Sequence, residues 1–189
     1  PQSYGITLSA YMYAVNGNSA DPCTDSSPQF SQDPYMLVCE GTDVQYNSSA
    51  FDPDNDSLVY SWGIPLDHFP AGTFDPPTNP APVPFVAGFA YNNPTPDASF
   101  NAGNIPATMD QTTGDINFLS YTIGNYGMVQ RIDSYRDDQL ISTVFREFQM
   151  IVIPCPGYNN NAPVITPPFA GNTSFDLTVP AGTLINFDI

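Results

Sequence analysis

The sequence contains no lysine, only three arginines and one histidine, His68, against 19 acidic residues, which gives a net charge of −16. Such a surface repels phosphate backbones and anionic lipid headgroups, so we expect no nucleic acid partner and no direct membrane insertion. No apolar run approaches the roughly 20 residues that a membrane-spanning helix needs. His68 lies in none of the short motifs of hydrolases or zinc proteases, so we expect no enzyme.

Long helices are also excluded, because 21 prolines and 13 glycines are spread along the 189 residues and proline breaks the helical hydrogen-bond ladder. Leu58, Tyr60 and Trp62 recur at every second position, separated by Val59 and Ser61, which predicts a strand with these three side chains on one face. Residues 126–136 and 139–153 are two long β-rich runs separated by Asp137-Asp138, which predicts a tight hairpin. The sequence therefore predicts an all-β fold, a two-layer sandwich of about seven strands.

Two stretches about 135 residues apart resemble each other, a spacing typical of tandem domains rather than of a solenoid. Both contain a proline-led apolar strand and then a Gly-Thr pair, at Gly41-Thr42 and at Gly182-Thr183, and a cysteine precedes each copy. We therefore predict that residues 1–22 are the last strand or strands of a preceding module and that 23–156 form one complete module. Residues 157–189 would be a linker and the first strands of the next module.

An acidic loop follows Phe51 in the complete module. Asp52, Asp54 and Asp56 alternate in the sequence, and alternate residues of an extended segment point the same way. Their mutual repulsion favours a bound cation, and a loosely shaped set of oxygen ligands suits Ca²⁺. The alternative is a solvated turn rich in Asp and Asn, with no metal.

Topology suggests further ligands for this calcium site. If the first strand runs down the sandwich and the second returns, the 51–57 loop lies at the same end as the hairpin at 136–139 and the incoming linker. Asp133, Asp137 and Asp138 are then candidate ligands, with Asp133 the best placed. A cation at this position would fix the angle between successive modules.

Three segments carry a resemblance to a known class of surface protein. The run from Phe51 to Tyr60 resembles the acidic signature of cadherin-like and PKD-like repeats, and Thr113-Gly114-Asp115-Ile116 resembles one of their strands. Residues 135–141 with 146–149 resemble a hairpin of giant Bacteroidota surface proteins exported by type IX secretion, which include the mobile gliding-motility adhesin. Asp138 stands where that hairpin usually has glycine.

The resemblance implies immunoglobulin-like β-sandwich modules in tandem, located outside the cell on the bacterial surface. It also implies that the first and last strands of a module run side by side in parallel. That topology predicts a Cys39–Cys155 disulfide, with Cys23 pairing upstream. The rival pairing is Cys23–Cys39.

Aromatic residues in the proline-rich segment are candidate glycan contacts, namely Phe85, Phe89 and Tyr91; the alternative is that they hold this loop against the sandwich. The expected function is a calcium-rigidified structural and adhesive module, with neighbouring modules, and polysaccharide or substratum, as partners. Two alternatives stay open: a carbohydrate-binding accessory module of a secreted enzyme, and a filament subunit completed by strand donation.

Overall fold

The computed structural model describes residues 7–14, 25–67, 80–156 and 178–184, and no helix occurs in these ranges, so none there could cross a membrane. The predicted all-β fold is confirmed for this part of the chain. Its strands, in chain order, are β1 (Ala10–Met12), β2 (Gln29–Phe30), β3 (Tyr35–Cys39), β4 (Asp43–Tyr46), β5 (Ala50–Phe51), β6 (Ser57–Trp62), β7 (Leu66–Asp67), β8 (Ala81–Pro82), β9 (Ile105–Met109), β10 (Ile116–Leu119), β11 (Gly124–Arg136) and β12 (Gln139–Ile153).

The predicted hairpin forms the centre of the larger sheet. β11 and β12 pair antiparallel, with Arg136 opposite Gln139 across a two-residue turn. Asp137 and Asp138 have φ angles of 50° and 61°, the positive values that a type I′ turn requires at both positions. The missing glycine is therefore no obstacle, because aspartate tolerates the left-handed backbone better than most residues.

Three further strands extend this hairpin. β6 pairs antiparallel with β11, whereas β1 and β3 pair with successive parts of β12, β1 antiparallel and β3 parallel. The parallel pairing of a first and a last strand is the arrangement predicted for the complete module. Residues 1–22 as part of a preceding module stay a prediction; within this chain Ala10 pairs with Val144 of the same sheet.

The second sheet has the order β4-β10-β9 and packs against the first. One side chain in two on the facing strands points into the shared core, which is why β4 and β10 alternate between buried and more exposed residues. Tyr46 of β4 stacks on Phe148 of β12, with ring centroids 5.0 Å apart. Trp62 packs at the margin of the core. The buried apolar cluster comprises Val44, Tyr46, Ala107, Ile116, Phe118, Met128, Phe148 and Met150.

A disulfide joins Cys39, at the end of β3, to Cys155, just beyond β12, with 5.5 Å between the Cα atoms. The predicted pairing is confirmed. It follows from the parallel register, which places Cys39 beside Ile153. A disulfide of this kind indicates an oxidising environment, either extracellular or periplasmic. Cys23 lies outside the described residues.

The chain divides into two compact units, residues 1–155 and 156–189. In the second unit the described segment is a turn in which Thr183 N–H donates to Pro180 O at 3.2 Å, with Gly182 at a φ of 90°. In the first unit Thr42 N–H donates to Cys39 O at 3.3 Å, with Gly41 at 74°. The Gly-Thr pairs of the predicted repeat therefore form the same type of turn.

Candidate metal centre

Three carboxylates meet at one end of the large sheet. Asp52 and Asp56 lie in the loop between β5 and β6, and Asp25 lies on the chain that enters β2. One carboxylate oxygen from each lies within 4.8 Å of the others. The loop and the hairpin at 136–139 share this end, as the topology predicts, because Arg136 of β11 contacts Asp56. We call Asp25, Asp52, Asp56 and Arg136 the ionic cluster.

Asp52 organises the acidic loop. Its Oδ1 accepts the backbone N–H of Asp54 at 2.8 Å and that of Asp56 at 3.4 Å, and its Oδ2 accepts the Ser134 hydroxyl at 3.0 Å. Hydrogen bonds from an aspartate to the following backbone are what favour this residue in turns. The loop turns back through Asn55, whose φ is 63°. Asp52 is buried and is thereby fixed to both the loop and β11.

Arg136 is the positive charge of the ionic cluster. Its Nε and Nη2 lie 2.7 and 2.6 Å from the two oxygens of Asp56, which is the bidentate geometry that arginine forms with carboxylates. Nη2 also lies 3.3 Å from Asp25 Oδ1 and 3.7 Å from Asp54 Oδ2. The hydrogen bond to Asp56, with the surrounding carboxylates, raises the pKa of Arg136 above its ordinary value. One guanidinium thus serves several carboxylates.

Asp25 is the least satisfied member. Its side chain has no exposed surface, and its Oδ2 is buried without a hydrogen-bond partner. Burial raises the pKa of Asp25, and the charges of Asp52 and Asp56 raise it further. The Ser142 hydroxyl lies close enough to lower that pKa, yet Ser142 Oγ likewise has no partner of normal hydrogen-bond geometry. A buried carboxylate oxygen in this state is costly unless a cation neutralises it.

This arrangement suits a divalent cation in its donor chemistry. Carboxylate oxygens are the ligands that Ca²⁺ takes, and its coordination tolerates mixed mono- and bidentate binding. Asp25 Oδ2 is an unused oxygen among the three carboxylates that meet. Arg136, however, holds both oxygens of Asp56. A metal ion at this place therefore competes with the guanidinium for the same oxygens.

The remaining predicted ligands lie around or away from the three that meet. Asp54 is at the margin, where its Oδ2 accepts the Ser26 N–H at 2.6 Å. Asp133 precedes Ser134 on β11 and therefore faces the other side of the sheet, where its Oδ1 accepts hydrogen bonds from Arg131 and Thr143. Asp138 is exposed in the hairpin turn.

Two members of the ionic cluster were not predicted as site residues. Asp25 belongs to the incoming linker, which the topology places at this end, and its acidic character was the available signal. Arg136 stands immediately before the Asp137-Asp138 turn, and the scarcity of arginine in so acidic a chain marks each one as a candidate counter-charge. The sequence pattern does not tell which acid such an arginine contacts.

The candidate glycan contacts divide into two groups. Phe85 and Phe89 line a cavity on the large sheet, and Phe89 also contacts Phe100 and Tyr126, with centroids 4.9 and 6.0 Å away. Tyr91 is 41 % exposed and does not line that cavity. Phe89 therefore packs against two neighbouring rings, and a role of Phe85, Phe89 and Tyr91 in glycan binding stays a prediction.

No model of a known protein family matches the chain, and no curated protein matches it. Among solved structures, a candidate alpha-galactosidase of Bacteroides fragilis matches 68 % of this chain and 18 % of its own, with a TM-score of 0.37 and 8 % identity. A nucleoside hydrolase-related protein of Saccharophagus degradans, associated with carbohydrate metabolism, matches 62 % of this chain and 21 % of its own, with a TM-score of 0.32 and 13 % identity. The chain thus spans about a fifth of each. Similarities this low carry no argument about function.

Proposed function

We propose that this chain is an extracellular structural and adhesive module of a bacterial surface protein, built as an immunoglobulin-like sandwich and stiffened by calcium at the ionic cluster. Asp25, Asp52 and Asp56 would hold the cation, with Asp54 beside them. The bound ion would supply the positive charge that these carboxylates lack, and it would tie the incoming chain to the acidic loop. The proposal assigns the chain no catalytic role.

One observation carries the calcium proposal, namely the buried and unpartnered Oδ2 of Asp25 beside the carboxylates of Asp52 and Asp56. Three negative charges in that space face a single guanidinium. Crowded carboxylates of this kind favour a bound cation, because the alternative is repulsion or protonation. A calcium ion would lower both costs.

The position of Asp25 supports the structural role. Asp25 comes from the chain that enters the sandwich, whereas Asp56 and Arg136 belong to the acidic loop and the hairpin. A cation shared between them would restrain the entering chain relative to the sheet. The disulfide and the acidic composition are consistent with a module outside the cell. A place in a gliding-motility adhesin rests only on the resemblance of the hairpin and the acidic loop.

Calorimetric titration with CaCl₂ tests the proposal directly. We expect saturable binding of one ion to the metal-free chain, and MgCl₂ should bind more weakly because Mg²⁺ gives up its water reluctantly. Asp25→Asn and Asp56→Asn should each weaken binding at least about ten-fold, since each removes a charged ligand. Asp43→Asn is the matched control, because Asp43 is exposed on β4, away from the ionic cluster.

The proposal fails if the chain binds no calcium. It also fails if the Asp25 and Asp56 variants bind as tightly as the Asp43 variant. Equal loss in all three variants would indicate a diffuse attraction to the net charge of −16 rather than a site.

A further inference from the structure

A cavity of about 570 Å³ lies on the face of the large sheet that points away from the core. Val129 of β11 and Glu147 of β12 pair with each other and line it, whereas their neighbours Met128 and Phe148 point into the core. The opposite walls come from the segment after β8 and from the start of β7. Its volume is within the range of small-ligand sites. The apolar walls include Pro65, Leu66, Val83, Phe85, Val86 and Phe89.

In the part of the chain that the structure describes, Glu147 is the only residue with a charged side chain that lines the cavity. It is partly buried, burial raises its pKa, and no donor among the described residues reaches its carboxylate. The chain contains no lysine. The three arginines contact other groups: Arg131 pairs with Asp133, Arg136 belongs to the ionic cluster, and Arg146 lies over the Phe30 ring. None of these arginines serves as counter-charge for Glu147.

Gly127 leaves room beside this carboxylate. It lies two residues before Val129 on β11 and lines the same cavity. A Cβ atom added at Gly127 would meet nothing within 4 Å. Glycine inside a strand weakens the strand and often marks a place where a ligand approaches the backbone closely. The open space over Gly127 therefore belongs to the cavity rather than to packing within the fold.

Apolar and aromatic walls around one carboxylate select a particular ligand chemistry. A positive group would restore to Glu147 the interaction that burial takes from it, and it would be attracted to the ring faces of Phe85 and Phe89. A neutral sugar would leave most of its hydroxyl groups against apolar walls without partners. An anion would be repelled by Glu147 and by the net charge of the chain.

We propose that this cavity binds an organic ammonium group carried on an apolar body. The stem would lie against the apolar walls, and the ammonium would donate to the Glu147 carboxylate. A lysine side chain between apolar residues of a partner protein has this chemistry, and so does a free arylalkylamine. The proposal uses none of the residues of the ionic cluster and does not depend on calcium binding.

Phenethylammonium chloride is the first probe, titrated into the ¹⁵N-labelled chain while the amide signals of Gly127 and Glu147 are followed by NMR. We expect saturable shifts at these amides. Phenethyl alcohol has the same apolar body without the charge, and it should bind more weakly by about ten-fold or more. The blocked peptide acetyl-Val-Lys-Val-amide distinguishes the sources: tighter binding of the peptide assigns the cavity to a protein side chain, and tighter binding of the free amine assigns it to a small molecule.

Two variants distinguish the contribution of the Glu147 carboxylate to binding from that of the open space over Gly127. Glu147→Gln should weaken phenethylammonium binding roughly ten-fold or more and leave phenethyl alcohol binding unchanged, because only the charge-assisted hydrogen bond is lost. Gly127→Leu should weaken binding of both probes, because the new side chain occupies the space beside the carboxylate. Glu40→Gln is the matched control, since Glu40 is exposed in the turn after β3.

The proposal is overturned if no probe shifts these amides. It is equally overturned if Glu147→Gln binds phenethylammonium as tightly as the Glu40→Gln control, or if cellobiose binds more tightly than phenethylammonium. The last outcome would assign the cavity to a glycan. Circular dichroism of each variant distinguishes a blocked cavity from a misfolded chain.

Discussion

The two ends of β12 are both fastened to the N-terminal part of the unit, but by different chemistry. Where β12 finishes, the Cys39–Cys155 disulfide ties it to β3. Where β12 begins, its hairpin partner β11 carries Arg136, which contacts Asp25 on the entering chain and Asp56 on the acidic loop. The first connection is a covalent disulfide bond, and the second is a set of ion pairs.

The difference lies in what each end responds to. A disulfide in an oxidising environment is indifferent to calcium, to salt and to moderate changes of pH. The ionic cluster should respond to calcium, to salt and to pH. It contains more carboxylates than positive charges, and the carboxyl group of Asp25 is buried with a raised pKa. We therefore expect the effects of the two ends to be separable by experiment.

Removal of the disulfide by Cys39→Ser with Cys155→Ser should lower the free energy of unfolding by about 4–5 kcal/mol, because a long loop is no longer closed in the unfolded chain. The two cysteines are 116 residues apart. Urea denaturation of both proteins measures the change. Any dependence of stability on calcium should survive this double substitution, and its loss would show that the two ends are not independent.

Arg136→Gln should destabilise the calcium-free chain by about 3 kcal/mol, because it leaves buried carboxylates without their counter-charge. The value lies at the low end for a broken ion pair since the Arg136 side chain is 34 % exposed. Calcium should recover most of the loss, because the cation no longer competes with the guanidinium. Urea denaturation with CaCl₂ and with EDTA measures both. If Arg136→Gln is equally unstable in CaCl₂ and in EDTA, no metal ion binds at the ionic cluster.

Asp25→Asn should stabilise the calcium-free chain at neutral pH by on the order of 1 kcal/mol or less, because it removes a crowded negative charge. The pKa of Asp25 is raised in the folded state, so the folded chain binds a proton at Asp25 more readily than the unfolded chain does. The stability that the wild-type chain gains from this proton is complete below the unfolded-state pKa and is lost as the pH rises through the folded-state pKa. The advantage of the variant should therefore disappear in acid. Thermal melts at several pH values, compared with Asp43→Asn, test this; an advantage that grows in acid would contradict it.

Salt should give the smallest effect. The stability difference between the wild-type chain and Arg136→Gln should shrink as NaCl is raised, because screening weakens charge pairs that water reaches. Total stability is a poor measure here, since salt also screens the net charge of −16. Subtracting the free energy of unfolding of Arg136→Gln from that of the wild-type chain removes this common contribution. If the difference does not change with salt, Arg136 does not stabilise the chain through ion pairs.

Local patterns and topology predicted much of the fold. The hairpin at 126–136 and 139–153 agrees with β11 and β12, because alternation and turn residues are local signals. The Cys39–Cys155 pairing followed from parallel strands that the resemblance implied. The meeting of the acidic loop with the hairpin followed from the topology alone.

The candidate site was predicted only in part, for physical reasons. Asp133 was favoured as a ligand, yet strand alternation directs it to the face opposite Ser134, and the face of a strand is fixed by register rather than by composition. The contact between Arg136 and Asp25 spans 111 residues and has no local signature. Glu147 lies within the hairpin motif, but its position in an apolar cavity depends on how a distant loop packs across the sheet.

Calcium-dependent thermal unfolding of the disulfide-intact chain is the most direct test of the ionic cluster as a metal site. The metal-site hypothesis predicts a rise in Tm that grows with calcium concentration, equivalent to about 2.7 kcal/mol when calcium is 100-fold above its Kd, and a clearly smaller rise in Asp56→Asn at the same calcium concentration. A Tm that is the same in EDTA and in saturating CaCl₂ would contradict it, as would an equal rise in Asp56→Asn.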